Sequence, residues 1–296
     1  MGASRTAEYV ALYRALETTE RRRDPLFRDP FAMHLLSESR ARWLRVANWP
    51  GMRGLIERYA DSRAPGARTS AIGRTRFIDD LVRAEATAGM RQLVILGAGY
   101  DSRAHRLPEL AKLPVYEVDR ADTQAEKRKR IESAPGVRKD VHYVSVDFEK
   151  QDLATRLADA GWRADRTSLF IWEGVTNYLD AAAVATVLDM VGLVATGSAI
   201  VFTYIHRGVL DGTKHFDGAA KLVDNVKRLG EPWRFGLLPE ELGAYLAGFN
   251  LALEQDLGAD EYRARYFGKD ARFTGYAFYR IAVGRRVGRP SRPTAL

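Results

Sequence analysis

Two glycines one residue apart, Gly97 and Gly99, close the apolar run Leu93-Val94-Ile95-Leu96 and stand just ahead of Asp101 and Ser102. Glycine lets a backbone turn tightly and approach a ligand with no Cβ in the way. An unbroken aliphatic run of this kind reads as a strand buried on both faces. Asp101 or Ser102 can cap the helix that follows, whose free amide groups then point at the crevice above the strand ends. In an open α/β sheet that crevice takes nucleotide-like ligands. The third glycine of the dinucleotide fingerprint would fall at position 102, which is Ser. The departure disfavours a pyrophosphate and suits a ligand without one, such as S-adenosylmethionine. About 20 residues on, Val115-Tyr116-Glu117-Val118-Asp119 ends in a carboxylate at the place that reads ribose hydroxyls in nucleotide-binding units; capping the next helix is the other use open to Asp119.

Further residues could do chemistry at the ends of later strands. Asp147, followed by Phe148, could accept from an adenine amino group while the ring is covered, or could cap a helix. Glu173 ends a fourth hydrophobic stretch, and Tyr178 follows it. Tyr204 and His206 end a fifth. His206 has the side chain best suited to a general base near neutral pH, although a lone histidine at a strand end is more often structural. Arg74 lies on a helix with Ile78 and Leu81 on its own face, so its guanidinium needs an anionic partner or a route to water. Arg76 has Asp80 four residues on and can make an ordinary exposed pair.

The elements that must position these groups follow from periodicity. Residues 5–60 read as helical, with Tyr9, Val10, Leu12, Tyr13 and Leu16 forming one stripe. Asp24-Pro25 and Asp29-Pro30 are start signals, the second leading into a short helix with Phe31, Leu35 and Leu36. A further helix spans about 69–88. Strands are expected at 93–96, 114–119, 141–148, from 168, and at 199–205, with helices between them. Residues 124–130 form a charged helix face, read as solvated, and Asp180 caps a helix running to about 194. Residues 207–238 are long for a connection and read as an inserted lid. A helix at 239–249 precedes strands at 251–257 and 276–283, joined by a loop carrying Tyr262, Arg265, Tyr266 and Phe267. This alternation demands a mostly parallel sheet with helices on both faces. One domain is expected over residues 1–284: a helical cap at 1–88, a cofactor-binding core at 89–206, the lid at 207–238 and a last helix and strands at 239–284. A flexible basic tail follows at 285–296.

The 296 residues include no cysteine, which excludes disulfides and thiolate metal sites, and no metal site is expected. No apolar stretch is long enough to span a membrane. The start Met1-Gly2-Ala3-Ser4-Arg5-Thr6 fits the short, degenerate myristoylation pattern, but these residues suit a helix better. The net charge of +8 raises nucleic acid as a partner. Yet 37 arginines against nine lysines, spread along the chain among acids, form no patch. No nucleic-acid or membrane partner is expected, and a cytoplasmic location is.

Taken together, these residues resemble the S-adenosylmethionine-dependent methyltransferases of the leucine carboxyl methyltransferase family, particularly its bacterial members. The likeness rests on Asp29-Pro30, Arg74-Thr75-Arg76, Asp79-Asp80, Gly97-Ala98-Gly99-Tyr100-Asp101-Ser102-Arg103, Glu117-Val118-Asp119, Val146-Asp147-Phe148 and Glu173-Gly174-Val175-Thr176 with Tyr178-Leu179. It covers nearly the whole chain except the tail. It implies the Rossmann-like, seven-stranded class I methyltransferase sheet, with the last strand to insert running antiparallel. It also implies that Gly97, Gly99 and Asp101 belong to the cofactor turn beside the methionine part, that Asp119 holds the ribose, and that Asp147 and Phe148 flank the adenine. Arg74 would pair with the cofactor's carboxylate, and Glu173 would sit beside the methionine at the mouth of the acceptor pocket.

Family members methylate carboxylates or hydroxyls, and the acceptor expected here is a small molecule, as in secondary metabolism. A carboxylate is ionised near neutral pH and needs no base, whereas a hydroxyl must lose its proton; Glu173, Tyr178, Tyr204 and His206 are the candidates for that work. A nucleic-acid methyltransferase is the first alternative, weakened because no Asn/Asp-Pro-Pro-aromatic run follows the fourth strand. A nicotinamide-dependent dehydrogenase is weakened by Ser102 and by the lack of a Tyr-x-x-x-Lys pair. A non-catalytic S-adenosylmethionine-binding protein remains the third alternative.

Overall fold

The computed structural model describes residues 5–19, 24–268 and 274–288. The myristoylation pattern's first four residues and the tail from 289 onward lie outside the described residues. Helix α1 (Arg5–Glu17) opens the chain, followed by α2 (Glu38–Arg45), a 3-10 turn (Val46–Asn48), α3 (Met52–Arg63) and the long α4 (Ala67–Thr87). The core then alternates β1 (Gln92–Leu96), α5 (Arg103–Arg106), β2 (Val115–Asp119), α6 (Ala121–Ile131), β3 (His142–Ser145), α7 (Leu153–Asp159), β4 (Ser168–Trp172), α8 (Ala181–Val191) and β5 (Ala199–Ile205). The insert holds α9 (Gly208–Asp211) and α10 (Ala219–Arg228). The chain continues through α11 (Leu242–Ala247), β6 (Leu251–Leu257), α12 (Ala259–Tyr266) and β7 (Tyr279–Arg286).

The seven strands lie in the order β3-β2-β1-β4-β5-β7-β6. The first five are parallel, and β7 inserts antiparallel between β5 and β6. The order reverses between β1 and β4, so the crevice at their carboxyl ends is the binding position of an open sheet. Alternate residues of each central strand serve the two faces. Val94, Leu96, Phe170, Trp172, Ile200 and Phe202 pack with α7, α8 and α11. Leu93, Ile95, Leu169, Ile171 and Val201 pack against Phe77, Ile78 and Val82 of α4. Burial on both faces is why these strands carry unbroken apolar runs.

Four local expectations change. Residues 30–36 form a succession of turns, because the Asp29 carboxylate accepts from the Phe31 and Ala32 amides at 3.1 Å and holds the chain in a cap that is not continued. The link between the last two strands is helical: Tyr262 of α12 is buried, and its hydroxyl lies 2.7 Å from Ser70 Oγ on α4. The charged stretch 124–130 is not wholly solvated, since Gln124 and Lys127 are buried and Lys127 Nζ donates to Glu117 Oε2 at 2.6 Å. Finally, Arg285 and Arg286 belong to β7 and not to a tail; Arg285 bridges Glu85 on α4 and Glu254 on β6.

Candidate active site

β1 ends at Leu96 and the chain turns through Gly97 and Gly99 with φ of +64° and +44°, a backbone region that glycine enters freely. A Cβ on Gly97 would meet Val175 Cγ2 at 2.3 Å, so the turn lies directly under the loop that follows β4. A Cβ on Gly99 would touch Ala7 at 3.6 Å, which places the start of α1 over the second glycine. Asp119, at the end of β2, accepts from the Gly99 amide at 2.5 Å and from the Arg120 amide at 2.7 Å. Burial raises its pKa above the ordinary value, and these two bonds oppose that rise.

Buried charge continues from this turn. Asp101 Oδ1 accepts from the Arg103 amide at 2.7 Å, and its other oxygen meets the Arg103 guanidinium. Burial works against ionising Asp101, but Arg103, Arg14 and Lys127 together hold its carboxyl far below the usual range. Arg103 also reaches Asp79 at 2.9 Å and Glu173 at 3.1 Å. Arg106 donates to Asp79 at 2.6 Å and lies 3.8 Å from Asp29, whose carboxylate takes Arg14 at 2.9 Å and Ser102 Oγ at 2.6 Å. Arg14 also donates to the Tyr100 carbonyl. Four guanidiniums and four carboxylates therefore run without a break from α1, under the glycine turn, to Glu173 and Arg74. Each buried charge has a partner, as burial requires.

At the end of that chain Arg74 Nε lies 3.5 Å from Glu173 Oε1, and both are buried atoms without a hydrogen bond. The Arg74 guanidinium stacks over the Tyr279 ring at 4.4 Å. The expected faces of α4 hold, since Arg74 is buried while the half-exposed Arg76 pairs with Asp80 at 2.9 Å. Glu173 follows β4 at a loop fixed by the Gly174 amide donating to Thr203 Oγ1 at 2.7 Å.

Tyr178 stands on a short 3-10 turn beside Thr6, Trp233 and Tyr279; burial first, then Tyr279, pushes its hydroxyl up to about 12. Asp147 and Phe148 sit just beyond β3. Asp147 borders a pocket of about 300 Å³ lined also by Arg120, Asp122, Ser145, Val146 and Gln151. Its carboxylate also caps a turn by accepting from the Glu149 amide at 3.1 Å.

Two expected residues leave this group. The Tyr204 hydroxyl sits between the two Asp256 oxygens at 3.0 Å and Arg280 Nε at 3.1 Å, tying β5, β6 and β7 together. Its ring packs with Phe202 on the α8 and α11 face. Burial and then Asp256 raise its pKa, so the phenol stays protonated within these bonds. His206 accepts from the Gly208 amide at its own Nδ1, 3.0 Å away, and its ring lies against Phe216 in the insert. Burial and then Lys214 lower its pKa, which favours the neutral ring.

Periodicity had singled out neither Asp79 nor Arg103. The argument applied to Arg74 would have found Asp79, which lies four residues after Thr75 and three before Val82 on the buried face of α4. Arg14, Asp29 and Ser102 come together only in the fold.

The cradle fits a nucleoside bearing an amino-acid chain. Gly97 and Gly99 admit close approach, the Asp119 carboxylate ends β2 beside that turn, and an open pocket lies beyond β2 and β3. Arg74 Nε and Glu173 Oε1 are opposite charges with unused hydrogen-bonding capacity, suited to a carboxylate and an ammonium.

Comparison with known proteins agrees. The leucine carboxyl methyltransferase family model matches residues 7–192. A Frankia alni protein assigned as an S-adenosyl-L-methionine-dependent methyltransferase is 35% identical over 228 residues, 71% of this chain and 71% of its own length. A Mycolicibacterium gilvum protein with the same assignment is 33% identical over 234 residues, 77% and 71% of the two chains. Among solved structures, a protein from Thermobifida fusca assigned as a methyltransferase superposes with a TM-score of 0.57 at 18% identity, covering 94% of both chains. A DUF574 family protein from Streptomyces avermitilis gives 0.60 at 14%, covering 96% and 98%. At such identities the structural likeness concerns the fold.

Proposed function

The chain belongs to the leucine carboxyl methyltransferase family and is an S-adenosylmethionine-dependent methyltransferase; on that premise we propose that it methylates an oxygen of a small molecule, with a carboxylate as the acceptor. The observation that carries this reading is the roof over the site. Thr6 Oγ1 of α1 donates to Glu231 Oε2 of the insert at 2.5 Å, and Tyr178 faces Thr6 and Trp233 at the same point. The insert is pinned further where the Arg234 amide donates to the Asn177 carbonyl at 2.7 Å and its guanidinium reaches Glu149 at 2.7 Å. A site roofed by its own chain suits a small acceptor, whereas a polymer would need an open, basic surface.

In this reading the glycine turn backs the methionine part of the cofactor, Arg74 takes its carboxylate, Glu173 its ammonium and Asp119 its ribose. Asp147 and Phe148 flank the adenine, and Asp101 holds Arg103 in place beside Glu173. The bound cofactor supplies an electrophilic methyl group on a sulfonium that leaves as a neutral thioether. The chain's task is to hold the acceptor oxygen in line with it and to exclude water, and orientation of this kind is worth up to about 7–11 kcal/mol. Tyr178 keeps its proton and can donate to the acceptor. Tyr204 and His206 are engaged elsewhere, and Glu173 lies between Arg74 and Arg103. An acceptor already ionised therefore fits better than one whose proton must be removed.

The test is incubation with methyl-labelled S-adenosylmethionine and bacterial extract. Label in a small molecule, lost on mild base, supports an ester and a carboxylate acceptor. Base-stable small-molecule label would assign the acceptor as a hydroxyl, and label in nucleic acid or protein would overturn the reading.

A further inference from the structure

Seven large apolar side chains stand exposed among the described residues, and four of them, Trp43, Trp49, Leu55 and Tyr59, fall within 17 positions of the helical cap. Single exposed apolar residues are ordinary, but here they cluster in the chain, and on α3 their spacing makes one stripe. On α3 the exposed residues are Gly54, Leu55, Arg58, Tyr59, Ser62 and Arg63, a stripe at i, i+4 and i+8, while Ile56 on the opposite side is buried. Trp49, with Pro50 and Gly51, forms the tip between the 3-10 turn and α3, and Trp49 is 64% exposed. On α2, Arg42, Trp43 and Arg45 are exposed while Ala41 and Leu44 are buried.

The exposed charge on α2 and α3 is mostly basic, four arginines against Glu38. Arg42, Arg45, Arg58 and Arg63 are exposed and form no ion pair among the described residues. Of the nearby acids, Glu57 is taken by Arg53 and Asp61 by Arg68, and Glu38 at the start of α2 is exposed. Aromatic and aliphatic residues interleaved with unpaired arginines are the composition of a helix that lies in a membrane interface. Tryptophan and tyrosine favour the headgroup level, and guanidinium matches phosphate geometry.

We propose that α2, the Trp49 tip and the outer stripe of α3 form a docking surface for an anionic lipid bilayer, with Trp49 and Leu55 entering the headgroup boundary. A second copy of the chain is disfavoured as occupant, because a two-fold contact sets the same face against itself and brings these arginines together. Single-stranded nucleic acid is disfavoured because its binders use a basic groove that follows the backbone, whereas this surface is made of exposed helix faces with an aliphatic residue in the α3 stripe. The expectation of no membrane partner rested on the lack of a spanning stretch, which has no bearing on attachment at the interface.

Each arginine should raise partition onto an anionic surface by roughly fivefold. Full-length protein is sedimented with vesicles of equal phosphatidylglycerol and phosphatidylcholine, and with phosphatidylcholine alone, at 0.1 M and 0.5 M NaCl. We expect at least tenfold stronger partition onto the anionic vesicles, at least a tenfold loss at high salt, and a blue shift of tryptophan emission that Trp49→Ala reduces. Arg42→Ser with Arg58→Ser and Arg63→Ser should lower partition by about 100-fold. Thermal stabilisation by S-adenosylhomocysteine, measured on every variant, reports that the fold is kept. Equal partition onto both vesicles, or folded variants that sediment like the wild type, would overturn the proposal. Tighter binding of a 20-mer oligonucleotide than of vesicles would overturn it too, as would a dimer seen by light scattering and lost in Leu55→Ser with Tyr59→Ser.

Discussion

Thr6 and Glu231 meet side chain to side chain at 2.5 Å across 225 positions of sequence, so the first turn of α1 and the far end of the insert close on one point. Because Tyr178 faces the same point, the bond joins both roofing elements to the loop that follows β4. A hydrogen bond to a charged group contributes about 1.5–3 kcal/mol, and this one is only partly buried. Thr6→Val should therefore lower kcat/KM for the acceptor by about tenfold and leave the cofactor Kd within about twofold. Steady-state kinetics beside calorimetric titration of S-adenosylhomocysteine checks this. An equal loss in both would place Thr6 in the cofactor site instead of the roof.

Arg74 and Arg76 lie two residues apart on α4 and face opposite environments. Arg74→Ala should weaken cofactor binding by about 1.5–3 kcal/mol, because it removes the cation proposed to hold the carboxylate. Arg76→Ala removes an exposed pair with Asp80 and a 2.6 Å bond to the Leu26 carbonyl. It should cost some stability and leave cofactor affinity unchanged. Titration of both variants decides the matter, and equal losses of affinity would refute the assignment of Arg74.

His105 supplies a pH dependence of stability. Its Nδ1 accepts from the Arg138 amide at 3.3 Å, and its Nε2 lies 3.9 Å from Glu117 Oε1. Burial first, then Lys127, lowers its pKa to about 4, against about 6.5 in the unfolded chain. Between these values the unfolded chain binds a proton that the folded chain does not. The contribution of His105 is therefore full above about pH 6.5 and is lost as the pH falls toward 4, by about 3 kcal/mol across that window. Urea midpoints at pH 7.5 and pH 4.5 should fall apart for the wild type and lie closer together for His105→Asn. A variant with the same pH slope as the wild type would show that another group carries it.

What was legible in the sequence follows the range of each interaction. Gly97, Gly99 and Asp119 are linked by one strand-turn-helix-strand unit, and their spacing carries the meaning. The placement of Arg74 follows from the 3.6-residue period alone. Lys127 was readable by the same period, since Thr123, Gln124, Lys127 and Ile131 form one buried face of α6, yet its neighbours' charge hid it. The α12 sequence is largely polar, and the packing of Tyr262 against Gly73 and Ser70, with Glu261 accepting from the Gly258 amide, favours a helix there. The bonds that join Asp29 to Arg14 and to Ser102 span 15 and 73 positions, beyond the reach of any periodic pattern. Tyr204 and His206 were placed correctly at a strand end, but their partners, Asp256, Arg280 and the Gly208 amide, are set by tertiary contacts and local turns that spacing does not disclose.

The pair formed by Lys127 and Glu117 separates burial from attraction. Both side chains are almost wholly buried and lie 2.6 Å apart between β2 and α6. Burial raises the pKa of Glu117, and Lys127 opposes that rise. Desolvating two ions consumes most of what their attraction returns, so the intact pair contributes little net stability, while a lone survivor is strongly unfavourable. Lys127→Met should therefore cost about 3–5 kcal/mol, because it leaves the glutamate buried without its cation and in need of a proton. Adding Glu117→Leu should recover most of that loss, since the two apolar side chains can fill the same space. Urea denaturation of the two single variants and the double variant completes the cycle. A double variant as unstable as the worse single one would mean that the ionic pair itself, and not the avoidance of an unpaired charge, holds α6 against β2.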